Sequence, residues 1–337
     1  MKPTGRGSLR LAVRHLFQLS IGLLLFGFLI WYGGTSELAG LLEADPFYIT
    51  VAFLVTLVIT IVSAARWEVL VDELGSEKAC TLRECYHYLI LSRATSLILP
   101  PTISDFGVRT ISLRLAHDFS APMGLYSVLL DRLFDLLNLL LVGLPATLFF
   151  SRLWPTSWSY ALVILMLSGF WAIFEMRHKE IVTHLIRGYL WLPRSLSRLP
   201  IVGSRWGAGW RGDGDSGVDR PFVGMETRKL YRYTLIKSLL AALRIYLLAL
   251  AFHLRIPFAW MFFGMAVVQL GVILSITPGG LGFVEMGWYA ILTLAGLETP
   301  LVVAFLVGRR VLTALFLVVL ALASQVTMRL KPEPAVR

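Results

Sequence analysis

The sequence predicts an all-α protein: a polytopic transmembrane helical bundle of about six full spans plus two re-entrant broken hairpins arranged as inverted repeats. Three observations carry that expectation. Of the 337 residues, 57% are hydrophobic and 15% charged, against about 45–50% and about 25% in soluble domains. Two long apolar segments are each interrupted, one at Leu99–Gly107 (LPPTISDFG) and one at Leu274–Glu285 (LSITPGGLGFVE). An arginine follows each interruption at the same spacing, since Pro100 to Arg132 and Pro278 to Arg310 are both 32 positions.

Lys2, Arg6, Arg10 and Arg14 precede the apolar run Leu16–Tyr32. Its 17 residues exceed a signal-peptide core of about 7–15, and no small-x-small cleavage site lies directly behind it, so it reads as a retained first span. Further full spans are expected at Phe47–Ala65, Met123–Phe150, Trp158–Phe174, Thr234–His253 and Leu301–Met328, each near the roughly 20 residues that cross a bilayer. Arg83–His117 and Pro257–Gly296 are the two broken segments. Pro100, Pro101 and Gly107 interrupt the first, and Pro278, Gly279, Gly280 and Gly282 the second, because proline removes a backbone donor and glycine adds no packing. Unpaired backbone groups in hydrocarbon cost several kcal/mol each, so such breaks persist only where protein or a polar cavity surrounds them.

Charge sets the topology. With both broken segments re-entrant, 23 of the 31 Lys and Arg fall on the cytoplasmic side and two, Arg152 and Arg255, outside; the other six (Arg93, Arg132, Lys237, Arg244, Arg309 and Arg310) lie within apolar segments. Both termini are then cytoplasmic and the protein is multi-pass in the cell inner (plasma) membrane. The first hairpin enters from the cytoplasm and the second from outside, which inverts one repeat relative to the other, as in many secondary transporters. Residues 1–337 form a single membrane domain, with 47–174 the first repeat half, 234–328 the second, and 175–233 a cytoplasmic interfacial helix and glycine-rich linker.

The net charge of +10 does not signal nucleic acid, because the arginines fall between apolar segments rather than in a basic run interleaved with aromatics. Cys80 and Cys85 are expected as free thiols, since two cysteines make neither a disulfide framework nor a four-ligand zinc set. Asp213, Asp215 and Asp219 imitate the start of a calcium loop, but its twelfth position is Gly224 rather than Glu. With no HExxH, GxSxG, Walker A or GxGxxG in a suitable context, no metal, cofactor or catalytic residue is expected.

Arg132 and Arg310 each stand about ten residues into a span, roughly 15 Å deep at 1.5 Å per residue. A charge there costs about 3 kcal/mol on insertion scales and normally faces a cavity or a partner. For Arg132 an ion pair with Asp135, three residues on, or with adjacent Asp131 stands level with a ligand role. Arg310 has no acid within one turn, which favours the ligand role unless Glu285 reaches it. Helices restarting near Asp105 and Gly282 would add positive dipole ends to one cavity. Asp105 and Glu285 either cap those ends or neutralise Arg109 and Arg310. The candidate substrate-binding set is therefore Arg132, Arg310, Arg109, Arg309, Glu285 and Asp105, with phosphate the group that a guanidinium fork matches. Arg93 and Arg244 suit snorkelling or pairing within the bundle equally well and stand outside that set.

With both breaks and their arginines in view, the chain resembles the transmembrane domain of lysylphosphatidylglycerol synthase, a flippase-like membrane family. LILPPTISDFGVRTISLRL with VLLDRLFDLL in the first half and TPGGLGFVE with FLVGRRVLTAL in the second carry the resemblance, which spans about residues 10 to 330. In the usual first motif glycine directly precedes the acid and arginine follows it by three; here Ser104 precedes Asp105 and Arg109 is four beyond it. The resemblance implies translocation of an anionic or zwitterionic phospholipid between leaflets, without covalent chemistry. The alternative is a glycosyltransferase or lipid-modifying transferase using a polyprenyl-phosphate donor, or an accessory subunit of one. The longest outer loop, Gly33–Asp45, offers such an enzyme only Glu37, Glu43 and Asp45. The expected partners are the bilayer and a phosphate-bearing membrane lipid; a second copy of the chain or a lipid-synthesis enzyme is left open.

Overall fold

A computed structural model describes residues 43–74, 80–117, 119–151, 158, 161–162, 164–166, 168–177, 180–181, 184, 226–273, 277 and 280–329. All regular structure among them is helical. Asp45 opens α1 (Pro46–Glu73): its carboxylate accepts the Phe47 N–H at 2.8 Å, and Pro46, with no donor to lose, starts the helix. α2 (Leu82–Thr95) begins in a reciprocal cap, in which the Thr81 hydroxyl and the Glu84 carboxylate each accept the other's backbone N–H. It ends after 14 residues, and Pro101 starts α3 (Pro101–His117). α4 (Ala121–Phe150), α5 (Thr227–Ala251), α6 (Phe258–Ile273), α7 (Phe283–Leu294) and α8 (Thr299–Arg329) complete the order.

Among the described residues four helices are long and apolar enough to cross a membrane: Pro46–Glu73, Met123–Phe150, Thr227–Ala251 and Thr299–Met328. They coincide with four of the six expected spans. Leu16–Tyr32 lies outside the described residues, as does most of 178–225, and Trp158–Phe174 is described only in part, with helix at 168–177. α1 runs past the expected end at Ala65 because Trp67, Leu70 and Val71 are fully buried in the bundle, which carries Arg66 inside with them. α2, α3, α6 and α7 have 14, 17, 16 and 12 residues. At 1.5 Å per residue these are about 18–26 Å long, short of the roughly 30 Å of a hydrocarbon core.

α1 and α5 lie antiparallel at the centre, with the Asp45 N–H at the start of α1 donating to the Ala251 carbonyl at the end of α5 at 2.9 Å. The other helices pack around them reciprocally. α2 packs on α1, α3 and α8, while α6 packs on α5, α7 and α4. Each short helix that follows a central one thus touches the last long helix of the opposite half. Two cores result. One gathers Trp67, Tyr88, Leu113, Phe134, Phe174 and Tyr231; the other gathers Ala52, Leu248, Met261, Trp288, Phe305 and Phe316. α1 and α5 contribute to both, so the central pair joins the halves. Outward side chains such as Ile111, Leu115, Val311, Leu315 and Leu322 are exposed, as suits a surface bathed in lipid rather than water.

Candidate functional site

The two breaks are built differently. In the first, α2 ends at Thr95 and the chain turns through 96–100 before Pro101. Gly107, expected within that break, sits inside α3, where a Cβ would meet nothing within 4 Å. Three hydroxyls zip the two helices together: Ser92 donates to Asp105 Oδ1 at 2.7 Å, Thr95 and Ser104 share a hydrogen bond of 2.5 Å, and Ser104 reaches the Ser92 carbonyl. In the second break Pro278 and Gly279 lie outside the described residues. Gly280 and Gly282 have φ of 68° and 83°, the left-handed region that glycine enters without steric cost. The Thr277 hydroxyl donates to the Leu281 carbonyl at 2.8 Å, and the Gly282 N–H donates to Glu285 at 2.8 Å as α7 begins. α6 and α7 then meet through apolar contact, and a Cβ at Gly264 would stand 2.9 Å from the Trp288 ring.

A charged network fills the first half. Asp131 on α4, 3% exposed, holds Arg66 at 2.6 Å and Arg109 at 2.9 Å. Both arginines are at 0% exposure, and the Arg109 guanidinium also lies 4.1 Å from the Trp67 ring centroid. Asp135, one turn on, accepts from Arg66 at 2.8 Å, from Lys237 at 2.5 Å and from Arg132 at 3.1 Å. Arg132 also pairs with Asp105, which lies 3.8 Å from Arg109. The Thr234 hydroxyl on α5 accepts from Arg66 at 2.8 Å, so the network spans the central pair. In the second half Glu285, fully buried, contacts Arg309 at 3.2 Å and Arg310 at 3.5 Å while its other oxygen caps Gly282.

Between these groups stand Arg93 on α2 and Arg244 on α5. Arg93 donates to the Thr60 and Ser63 hydroxyls at 3.0 and 2.9 Å. Its charged neighbours are Arg132, Asp135, Asp131 and Arg109, but both carboxylates already bridge other cations. Arg244 has Arg309 and Arg93 as charged neighbours, and its Nε is buried without a hydrogen-bond partner. Among the described residues neither arginine has a carboxylate oxygen within 4.0 Å.

The expected set thus divides. Arg132, Asp105, Arg109, Asp131 and Asp135 do converge, but in an ion-pair network in which Asp131 serves Arg66 and Arg109 rather than Arg132. Glu285 does reach Arg310, the condition under which its ligand role weakens. Arg66 and Arg109, counted among the cytoplasmic flanks, are interior groups. Asp105 lies in the second turn of α3 and caps nothing, whereas Glu285 both caps and neutralises. Arg66 and the weight of Arg93 and Arg244 escaped the sequence reading. The signal for Arg66 was the stripe Thr56, Thr60, Ser63 and Arg66, whose spacings of four, three and three continue one helical face past Ala65. Cys80 and Cys85 are free and buried.

A family model described as "Lysylphosphatidylglycerol synthase TM region" matches residues 17–321. No curated protein and no solved structure matches the chain.

Proposed function

Because this chain belongs to the lysylphosphatidylglycerol synthase transmembrane-region family, we propose that it moves an anionic or zwitterionic phospholipid between leaflets without covalent chemistry. It is a multi-pass membrane protein, and the family ties it to lipid metabolism or transport. The observation that carries the proposal is the surplus of interior positive charge. Among the described residues Arg66, Arg93, Arg109, Arg132, Lys237, Arg244, Arg309 and Arg310 are set against Asp105, Asp131, Asp135 and Glu285, and of these cations Arg93 and Arg244 have no described carboxylate within 4.0 Å. Unpaired charge in a membrane interior is costly and marks a site that receives a counter-charge. A headgroup phosphate supplies one, and two guanidinium forks suit its oxygens. Arg132 and Arg310, partly neutralised, flank the phosphate rather than carry it.

The inverted-repeat reading has support in the reciprocal packing of α2 on α8 and α6 on α4 around the central pair. It puts Arg93 and Arg244 where the halves meet, the usual position of a transporter's substrate site. The cytoplasmic placement of both termini rests on the charge bias, which stands at 21 to 2 once buried Arg66 and Arg109 leave the original 23.

The test is exchange of a fluorescent phosphatidylglycerol between leaflets of proteoliposomes, read with an impermeant quencher. Arg93→Gln and Arg244→Gln, checked for folding, should each slow exchange about ten- to hundredfold, the worth of one charge-assisted contact. Arg244→Lys should fall between, because an ammonium lacks the fork. Wild-type rates in a well-folded double variant would overturn the proposal. Recovery of a covalently altered lipid would favour a transferase instead.

A further inference from the structure

At the open end of the first hairpin three side chains with metal-binding donors converge, and a fourth, Cys85, stands beside one of them. Cys80 Sγ, a Glu84 carboxylate oxygen and a His117 ring nitrogen lie within 4.8 Å of one another. Cys85 Sγ stands 2.9 Å from Cys80 Sγ. That separation is far longer than the roughly 2.05 Å of a disulfide and well inside an ordinary non-bonded contact of about 3.5–4.0 Å. Both thiols are buried, at 1% and 0% exposure, and His117 is 7% exposed. Ordinary packing accounts for part of the cluster: Glu84 caps α2 through Thr81, and a buried thiol behaves as a small apolar group. It does not account for the imidazole. Among the described residues His117 Nδ1 is buried with no hydrogen-bond partner, while Nε2 has the Tyr88 hydroxyl at 3.4 Å and Glu84 Oε2 at 4.0 Å. An unsatisfied buried polar atom costs about 1–3 kcal/mol, and a metal bond at Nδ1 would satisfy it while Nε2 keeps the Tyr88 hydroxyl.

We propose that Cys80, Cys85, Glu84 and His117 form a closed site for a zinc-class divalent cation. The donor set is two sulfurs, one nitrogen and one oxygen, the mixture a borderline-soft ion takes, and four protein ligands leave no open position for chemistry. Ligands about 2.0–2.3 Å from a common centre lie roughly 3.3–3.8 Å apart in a tetrahedron; small side-chain rotations bring the 2.9 and 4.0 Å pairs into range, and Cys85, outside the group of three, turns further to join them. The capping hydrogen bonds from Thr81 orient the Glu84 carboxylate, as outer partners of metal ligands do. Bound metal would join the start of α2 to the end of α3 and close the mouth of the hairpin. The role is structural.

The experiment uses the full chain purified in detergent without chelator, with elemental analysis, then chelation and titration with cobalt(II). About one ion per chain is expected, together with a thiolate-to-cobalt charge-transfer band and release of cobalt by added zinc. Cys80→Ser and His117→Ala should each abolish that band. If either variant fails to fold, the wild-type protein still decides. Folded wild type that holds no zinc and shows no thiolate band with cobalt would overturn the proposal, as would a Cys80–Cys85 disulfide in metal-free protein.

Discussion

The two broken hairpins are held together by opposite chemistry. α2 and α3 are joined by hydroxyls, by Asp105 and by the ion pairs that continue into α4, whereas α6 and α7 are joined by Gly264 against Trp288 and Gly287 against Val268, with Glu285 the single acid at their tip. A polar seam specifies its register through partners that are costly to strand, while an apolar seam specifies it through shape. The first is therefore sensitive to loss of charge and tolerant of added bulk; the second is the reverse.

The largest expected effect is at Asp131. Asp131→Asn leaves Arg66 and Arg109 buried and under-paired, and removing one partner of a buried pair costs about 3–5 kcal/mol. Size-exclusion profiles and thermal unfolding in detergent should show little or no folded protein. Glu285→Gln should do less harm, because the side chains of Arg309 and Arg310 are 10% and 21% exposed against 1% and 0% for Arg66 and Arg109. Equal losses in both variants would erase the distinction between the seams.

Bulk tests the other side. Gly282→Val forces a β-branched residue to a φ of 83°, at a cost of about 1–3 kcal/mol. Gly107→Ala, in open space within α3, should be neutral or stabilising by up to about 1 kcal/mol, since alanine is the better helix former. A lower melting temperature in Gly107→Ala than in Gly282→Val would reverse the assignment of the two breaks. The smallest effect is at Ser92. Ser92→Ala removes one hydroxyl donor from Asp105 and should lower stability by about 1 kcal/mol, leaving Arg132 to hold the carboxylate. A drop as large as that of Asp131→Asn would make the zip, not the ion pairs, the principal fastening of the hairpin.

What could be read in advance follows from how far each signal is local. Composition and the 18-residue or longer apolar runs were sufficient to locate the four long helices, because a membrane span is specified by a stretch of chain and little else. The breaks were legible through Pro101, Gly280 and Gly282, whose backbone preferences act at their own positions. Partnership was not. Asp131 stands beside Arg132 in sequence, yet adjacent helical positions face apart, so it turns to Arg66 and Arg109 from two other helices. Arg66 was assigned to a flank because hydropathy ends a span where charge begins, although a carboxylate waiting inside lets the helix continue. Arg93 and Arg244 gave no local sign of standing apart from the described carboxylates, because that depends on what the fold places around them.

Under the lipid-translocation proposal, Arg93 and Arg244 bear on ion leakage as well as on recognition. A pathway wide and wet enough for a phospholipid headgroup is also a route by which sodium ions and protons could run down the membrane potential. Fixed guanidinium charges held in the interior raise the local potential and repel every small cation, as an arginine in a water pore excludes protons. The like-charge neighbourhood of Arg93, Arg132, Arg244 and Arg309 would then make the same surplus a seal, admitting a negative headgroup while keeping the bilayer an insulator.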